Sequence, residues 1–367
     1  MTTRQARRAL MLEVLRTPAA ALRLSRPEWT ELLGSARHSN LLPRIAVLLE
    51  DGGVVQQLPA RVQEQLRGAR PIARHHERTI RWEVQRIADA LKDLDTRIVL
   101  LKGAAYVMAN LPAGQGRLAT DVDILVPRDQ IRDVERRLLA AGWVAVKLHA
   151  YDQRFYREWS HELPPLQHSR RRSVVDVHHN ILPPTGRVRP DAQTLLSAAV
   201  PLKAANAPEG LWTLGPEDMV LHCAVHLFQD GELSGSVRDL VDADALLSDF
   251  GGRLPGFWDG LTSRARMLGL ERPLFYLLHF TGRMLGTAVP SAAAAQLARP
   301  PAITLELMDR LVSRSLLPVA GQHGTFGEET ARTLLYIRSH WLRMPPAQLV
   351  AHLTRKALRR WSPDKDG

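Results

Sequence analysis

The sequence predicts an α+β protein in which short strands gather between about residues 97 and 182, with helical regions before and after. Three observations carry that expectation. Between Glu77 and Asp95 the apolar residues Ile80, Val84, Ile87, Leu91 and Leu94 recur at steps of four, three, four and three, the period of an amphipathic helix. Four short runs rich in apolar and β-branched residues follow, broken by turn residues. Beyond Pro183-Pro184 the spacing turns helical again, with a start signal at Gly215-Pro216-Glu217-Asp218. The expected organisation is an N-terminal helical region (1–95), a core (96–182) and a C-terminal helical domain (183–367).

The elements of the core follow in order. Ile98-Val99-Leu100-Leu101 is a first strand ending in Lys102-Gly103, and the helix-prone AAYVMAN comes next. A loop with Pro112, Gly114 and Gly116 leads to a second strand, Asp121 to Val126. Asp129 is the expected cap of a helix with the apolar face Ile131, Val134, Leu138 and Leu139, stopped by Gly142. Trp143 to Leu148 reads as a third strand. After a polar, aromatic-containing excursion through Tyr151, Phe155, Tyr156 and Trp159, the β-branched run Ser173 to His178 reads as a fourth. Gly321 to Gly327 is the clearest late loop, and the sequence carries no internal repeat.

Length and composition narrow the function classes. The 367 residues suffice for two or three domains at roughly 150 each, so no disulfide staples are required. A lone cysteine, Cys223, excludes a disulfide framework and a four-cysteine zinc site and fits a reducing compartment. Glu13 interrupts the first apolar run, and the uncharged stretch Met284 to Ala298 is short and broken by Gly286 and Pro290. A cytoplasmic protein with no membrane partner is expected. The net charge of +11 points to polyanionic partners, but only six of the 49 basic residues are lysines, so the bias of a GC-rich genome explains it equally well. Aromatic residues at 5% disfavour a stacking platform for single strands.

The sharpest chemical feature is Asp121 with Asp123. Residues two apart on a strand share a face, so two carboxylates stand close together while Val122 and Ile124 point the other way. Such a pair is costly unless a cation neutralises it, and magnesium is commonly held by carboxylates, water and phosphate. Asp176, set in Val-Val-Asp-Val, is the candidate third ligand, which requires its strand to lie beside that of Asp121. The alternative reading of Asp-x-Asp is a solvated strand end. Context favours a site: the Lys102-Gly103 turn ends a strand and opens a helix, an arrangement that suits phosphate.

These residues carry a resemblance. LLKGAAYVMANLPAGQGRLATDVDILV, then AAGW and VVDVHHN, resembles the bacterial nucleotidyltransferase-like family of the DNA polymerase β superfamily, with Lys102, Gly103, Arg117, Thr120, Asp121, Asp123, Asp176 and His178 matching its pattern. It covers about residues 75 to 250, through LGPEDMVLHCAVHLF and SVRDLVDADALL; Ala104 stands where the superfamily has a second Gly or Ser. The resemblance implies a polymerase β-like nucleotidyltransferase core, a small mixed sheet with helices. It also implies transfer of a nucleoside monophosphate from an NTP, ATP first, to an acceptor hydroxyl of a small molecule, a peptide or protein, or RNA. Asp121, Asp123 and Asp176 are then catalytic and hold two Mg2+ ions, or Mn2+ in their place, with Asp176 alternatively the general base. Gly103 cradles phosphate, Lys102 and Arg117 are its counter-charges, and Thr120 and His178 are nucleotide contacts. A catalytically quiet NTP-binding or scaffold protein with the same fold is the alternative.

Other groupings point less clearly. His222 and His226 have metal-helix spacing without a protease glutamate, and packing or phosphate contact is the preferred reading. Arg238 and Asp242 form the expected i, i+4 ion pair, Cys223 is expected to be buried without a partner, and the basic run Arg355 to Trp361 reads as a solvated helix end.

Overall fold

The alternation of acidic and apolar residues in Asp121-Val122-Asp123-Ile124-Leu125 makes the strand around which the sheet is assembled. The computed structural model describes residues 3–146, 150–204, 207–230, 233, 236–317 and 325–361. Among them seven strands form one mixed sheet: β1 (Ile98–Leu100), β2 (Asp121–Leu125), β3 (Trp143–Ala145), β4 (Leu166–His168), β5 (Val174–His178), β6 (Val200–Pro201) and β7 (Leu211–Thr213), in the order β3-β4-β5-β2-β1-β7-β6. β2 runs parallel to β5 and antiparallel to β1, and β7 is parallel to β1. The remaining neighbours are antiparallel.

The α+β expectation holds, with helices on either side of the sheet in sequence. Four helices precede it: α1 (Thr3–Arg16), α2 (Arg26–His38), α3 (Leu42–Asp51) and α4 (Ala60–Leu91). The stripe read from the sequence is the buried face of α4, where Ile80, Val84, Ile87 and Leu91 are all nearly inaccessible. Within the sheet region lie α5 (Lys102–Met108), α6 (Ile131–Ala140), α7 (Ala150–Trp159) and α8 (Ala192–Ala198). Then follow α9 (Pro216–Val225), α10 (Val237–Arg253), α11 (Phe257–Met267), α12 (Glu271–Leu285), α13 (Ser291–Ala295), α14 (Ala302–Ser315), α15 (Phe326–Arg343) and α16 (Pro346–Trp361). α9 packs on α10, α11 and α12, and also touches α5. One contiguous hydrophobic cluster runs from Met11 to Leu335, with Val122, Ile124, Val175 and Val177 at the sheet's centre. Among the described residues no helix is long and apolar enough to cross a membrane.

Several local expectations are corrected. The region past residue 182 is not wholly helical: β6 and β7 join the sheet, because the short run Leu211-Trp212-Thr213 finds an open parallel edge on β1. β4 also escaped the sequence reading, hidden in Leu166-Gln167-His168, a strand of only three residues. Asp129 does not cap α6; it lies in a 3-10 turn, and Gln130 takes the cap position. Leu139 is exposed, while Val134 and Leu138 are buried. The third strand stops at Ala145. In the late loop, residues 321–324 lie outside the described residues, and Gly327 belongs to α15, which Thr325 and Glu328 open with a capping box. The side chains of the basic run Arg355 to Trp361 also lie outside the described residues.

A buried ion-pair network ties the parts together. Asp242 of α10 accepts from Arg117 Nε at 2.6 Å and from Arg44 of α3 at 3.2 Å. Arg44 also donates to the carbonyls of Pro112 and Ala113. The expected Arg238–Asp242 pair therefore does not form. Arg238 instead reaches Asp239 at 3.4 Å and the Leu118 carbonyl at 3.3 Å, because the two better-placed arginines claim Asp242. Removing one partner of such a buried group leaves the others uncompensated. Asp242→Ala is expected to destabilise the protein by about 3–5 kcal/mol, measured by urea unfolding against the wild type.

Candidate active site

The parallel pairing of β2 with β5 decides the site. Its register sets Asp123 opposite Asp176, and the two-residue period puts Asp121 on the same face as Asp123. The strand adjacency that the sequence reading required for Asp176 is thus present. A fourth carboxylate, Glu162, comes from the extended segment beside β5. It is bridged to His178, with Leu163 N–H donating to the Val177 carbonyl at 2.9 Å and His179 N–H to that of His161 at 2.8 Å. Glu162 was missed because the Pro164-Pro165 pair interrupts the strand pattern; the polar-apolar alternation of Ser160-His161-Glu162-Leu163 was the available signal.

Asp123 is the buried member, at 4% exposure. Its Oδ1 accepts from Lys102 Nζ at 2.8 Å and lies 3.1 Å from His178 Nε2. Burial alone would raise its proton affinity, but the Lys102 ammonium and the His178 ring hold it well below the usual carboxylate range. Asp176 has the opposite environment. Burial, followed by the charges of Asp123 and Glu162, pushes it up to about 7. Its Oδ1 is buried without a hydrogen-bond partner. A buried, orphaned carboxylate oxygen among further carboxylates is an all-oxygen donor set of the kind that a hard dication satisfies.

The turn between β1 and α5 aims Lys102. Leu101 N–H donates to the Asp123 carbonyl at 2.9 Å, and Lys102 adopts φ +44°, a left-handed conformation unusual for a side-chain-bearing residue. Gly103 is needed for a different reason from the one read in the sequence: a Cβ there would stand 1.9 Å from Arg117 Nη1. The space next to the turn is filled by a guanidinium. Arg117 itself is buried on Asp242, with Asp239 3.8 Å away, and faces Tyr106. Although burial opposes its charge, Asp242 and Asp239 keep it firmly protonated. The structure thus separates Arg117, committed to Asp242, from Lys102, which is at the carboxylates. Thr120 is exposed next to Asp121.

The neighbouring groups are structural in character. His222 is buried and held neutral by burial and then by the charges of Lys102 and His226. Among the described residues His222 and His226 form no potential metal-binding group. Cys223 is buried as expected but does have a partner, the Tyr106 hydroxyl at 3.0 Å, and burial pushes its thiol up to about 12. A cavity of about 110 Å³ adjoins the site, lined by Phe155, Tyr156, Trp159, His161 and Glu162 among others. A larger one, about 900 Å³, lies away from it, between α1, α12 and α14.

A strand-borne aspartate trio beside a lysine turn defines a protein built to handle phosphate with a dication. The chain belongs to the family described as uncharacterised nucleotidyltransferase, whose model matches residues 25–286. That match extends past the expected 75–250 on both sides. No curated protein matches the chain.

Two outcomes follow from the local geometry. Gly103→Ala is expected to destabilise by roughly 1–3 kcal/mol, because Arg117 is pinned by Asp242 and cannot swing clear; thermal unfolding measures it. For Asp176, the folded protein keeps a proton from about pH 4 to about 7 that the unfolded chain has released, so stability falls as pH rises through that window. Without divalent cations, Asp176→Asn should therefore gain roughly 3 kcal/mol over wild type at pH 8 and nothing at pH 4. Paired denaturation curves at the two pH values check it.

Proposed function

We propose that this chain is a magnesium-dependent nucleotidyltransferase that moves a nucleoside monophosphate from an NTP, ATP first, to an acceptor hydroxyl and releases pyrophosphate. The observation that supports this best is the alignment of Asp121, Asp123 and Asp176 on one face of the parallel β2–β5 pair, with Asp176 Oδ1 orphaned there. These three would hold two Mg2+ ions, or Mn2+, on a polymerase β-like core. When bound, the ions supply charge neutralisation of the triphosphate and polarisation at the α-phosphorus.

The protein's own groups divide the remaining work. Lys102 pairs with Asp123 and is the cation nearest the trio; once a dication satisfies Asp123, its ammonium is available to the triphosphate. Gly103 and Arg117 shape the turn that carries Lys102, and Thr120 lines the exposed rim where a nucleotide would lie. His178 fixes Asp123 through Nε2. The acceptor oxygen bonds to the α-phosphorus as the bond to the pyrophosphate oxygen breaks. The acceptor's proton passes to Asp176, whose raised proton affinity suits that role near neutral pH. The acceptor is a hydroxyl of a small molecule, a peptide or protein, or RNA.

Purified protein incubated with Mg2+ and each labelled NTP should release pyrophosphate and transfer label to an added acceptor or to itself. Asp121→Ala and Asp123→Ala are each expected to lose on the order of a thousandfold in rate, since metal charge stabilisation is worth several kcal/mol, while staying folded by circular dichroism. Metal-dependent NTP binding with no turnover would instead make the chain a quiet nucleotide-binding protein.

A further inference from the structure

His178 stands between two carboxylates, and its protons do not suffice for both. The ring is 2% exposed. Nε2 lies 3.1 Å from Asp123 Oδ1, and Nδ1 lies 3.3 Å from Glu162 Oε2. Ionised carboxylates only accept hydrogen bonds, and a neutral imidazole has one N–H to give. If Nε2–H is donated to Asp123, Nδ1 faces Glu162 lone pair to lone pair. In keeping with this, Nδ1 is buried and makes no aligned hydrogen bond, despite the short separation.

A dication between the two lone pairs resolves the conflict, and a third donor is in place. The ligand atoms of His161, Glu162 and His178 all lie within 4.8 Å of one another. The two imidazole rings are 5.4 Å apart between centroids. Bonds of about 2.0–2.1 Å would set tetrahedral donors roughly 3.4 Å apart, so modest side-chain rotation closes the shell. Metal-bound histidines characteristically donate their other N–H to a carboxylate, which fixes the tautomer. Asp123 occupies that position.

We propose that His161, Glu162 and His178 form a binding site for a zinc-type transition dication, distinct from the aspartate trio. Two imidazoles and one carboxylate favour such an ion over magnesium, which takes oxygen donors. Three protein ligands leave a fourth position for water or a small ligand, and the cavity that His161 and Glu162 line lies alongside. The ion would lock the His178 tautomer and keep Nε2–H on Asp123, making His178 a positioning residue for that carboxylate.

The test uses metal-stripped full-length protein and no nucleotide, so its result stands whether or not nucleotidyl transfer is found. Titration with Co2+ should show one equivalent bound with the visible bands of a four-coordinate site, displaced by stoichiometric Zn2+ and retained in excess Mg2+. His161→Ala and Glu162→Gln should each lose the bands while remaining folded by circular dichroism, and Asp121→Ala should keep them. The proposal is overturned if folded wild type takes up no Co2+, as it would if His178 were simply protonated on both nitrogens. It is equally overturned if the bands survive His161→Ala, or if they vanish with excess Mg2+ or in folded Asp121→Ala, either of which assigns the metal to the aspartates.

Discussion

A carboxylate buried in the middle of a sheet must have its charge answered, and at Asp123 it is answered twice, on one oxygen, by Lys102 and by His178. Much of the site's arrangement follows from that. Lys102 reaches it only because the backbone takes a left-handed turn at the end of β1, and that turn is held by Leu101 donating to the carbonyl of Asp123 itself. His178 reaches it because parallel pairing brings β5 alongside in register. With both cationic partners drawn to Asp123, Asp176 is left facing like charge, and its proton affinity rises. One face of two strands therefore holds carboxylates of opposite tendency, one committed to the ionised form and one close to neutrality at physiological pH.

What the sequence made legible is what depends on local period. The strand alternation of Asp121 and Asp123 and the helical stripe of α4 are short-range patterns, and both appear where the spacing puts them. An acid inside Val-Val-Asp-Val was a local anomaly, and it marked a residue whose partner strand lay over fifty positions away. The residues that escaped are those whose meaning is set by distant partners. Glu162 becomes part of the cluster only when its segment pairs with β5. Arg117 reads as a phosphate ligand until Asp242, 125 residues on, is seen to neutralise it. The same holds for β7, three residues that become a strand because β1 offers an edge.

The basic composition is largely dispersed. Arg70, Arg81, Arg154, Arg253 and Arg310 pair with acids on their own helix or a neighbouring one, contacts of small energetic weight at an exposed surface. Buried arginines do more. Arg44 and Arg117 converge on one carboxylate and so join α3, the loop before β2 and α10, elements that share no sequence neighbourhood. The loop that delivers the aspartate strand is thereby fastened on both sides, and Gly103 is the residue that leaves room for the fastening.

The placement of β7 bears on how the chain is made. β1, β2 and β5 emerge from the ribosome well before residues 211–213, so the aspartate face can assemble while the other edge of β1 is still unpaired. Closing that edge requires contact across more than a hundred residues, the kind of long-range pairing that slows folding and leaves a strand edge open to other chains meanwhile. Carboxylates gathered on the face formed first would make the nascent sheet anionic on one side, discouraging two such intermediates from stacking through it.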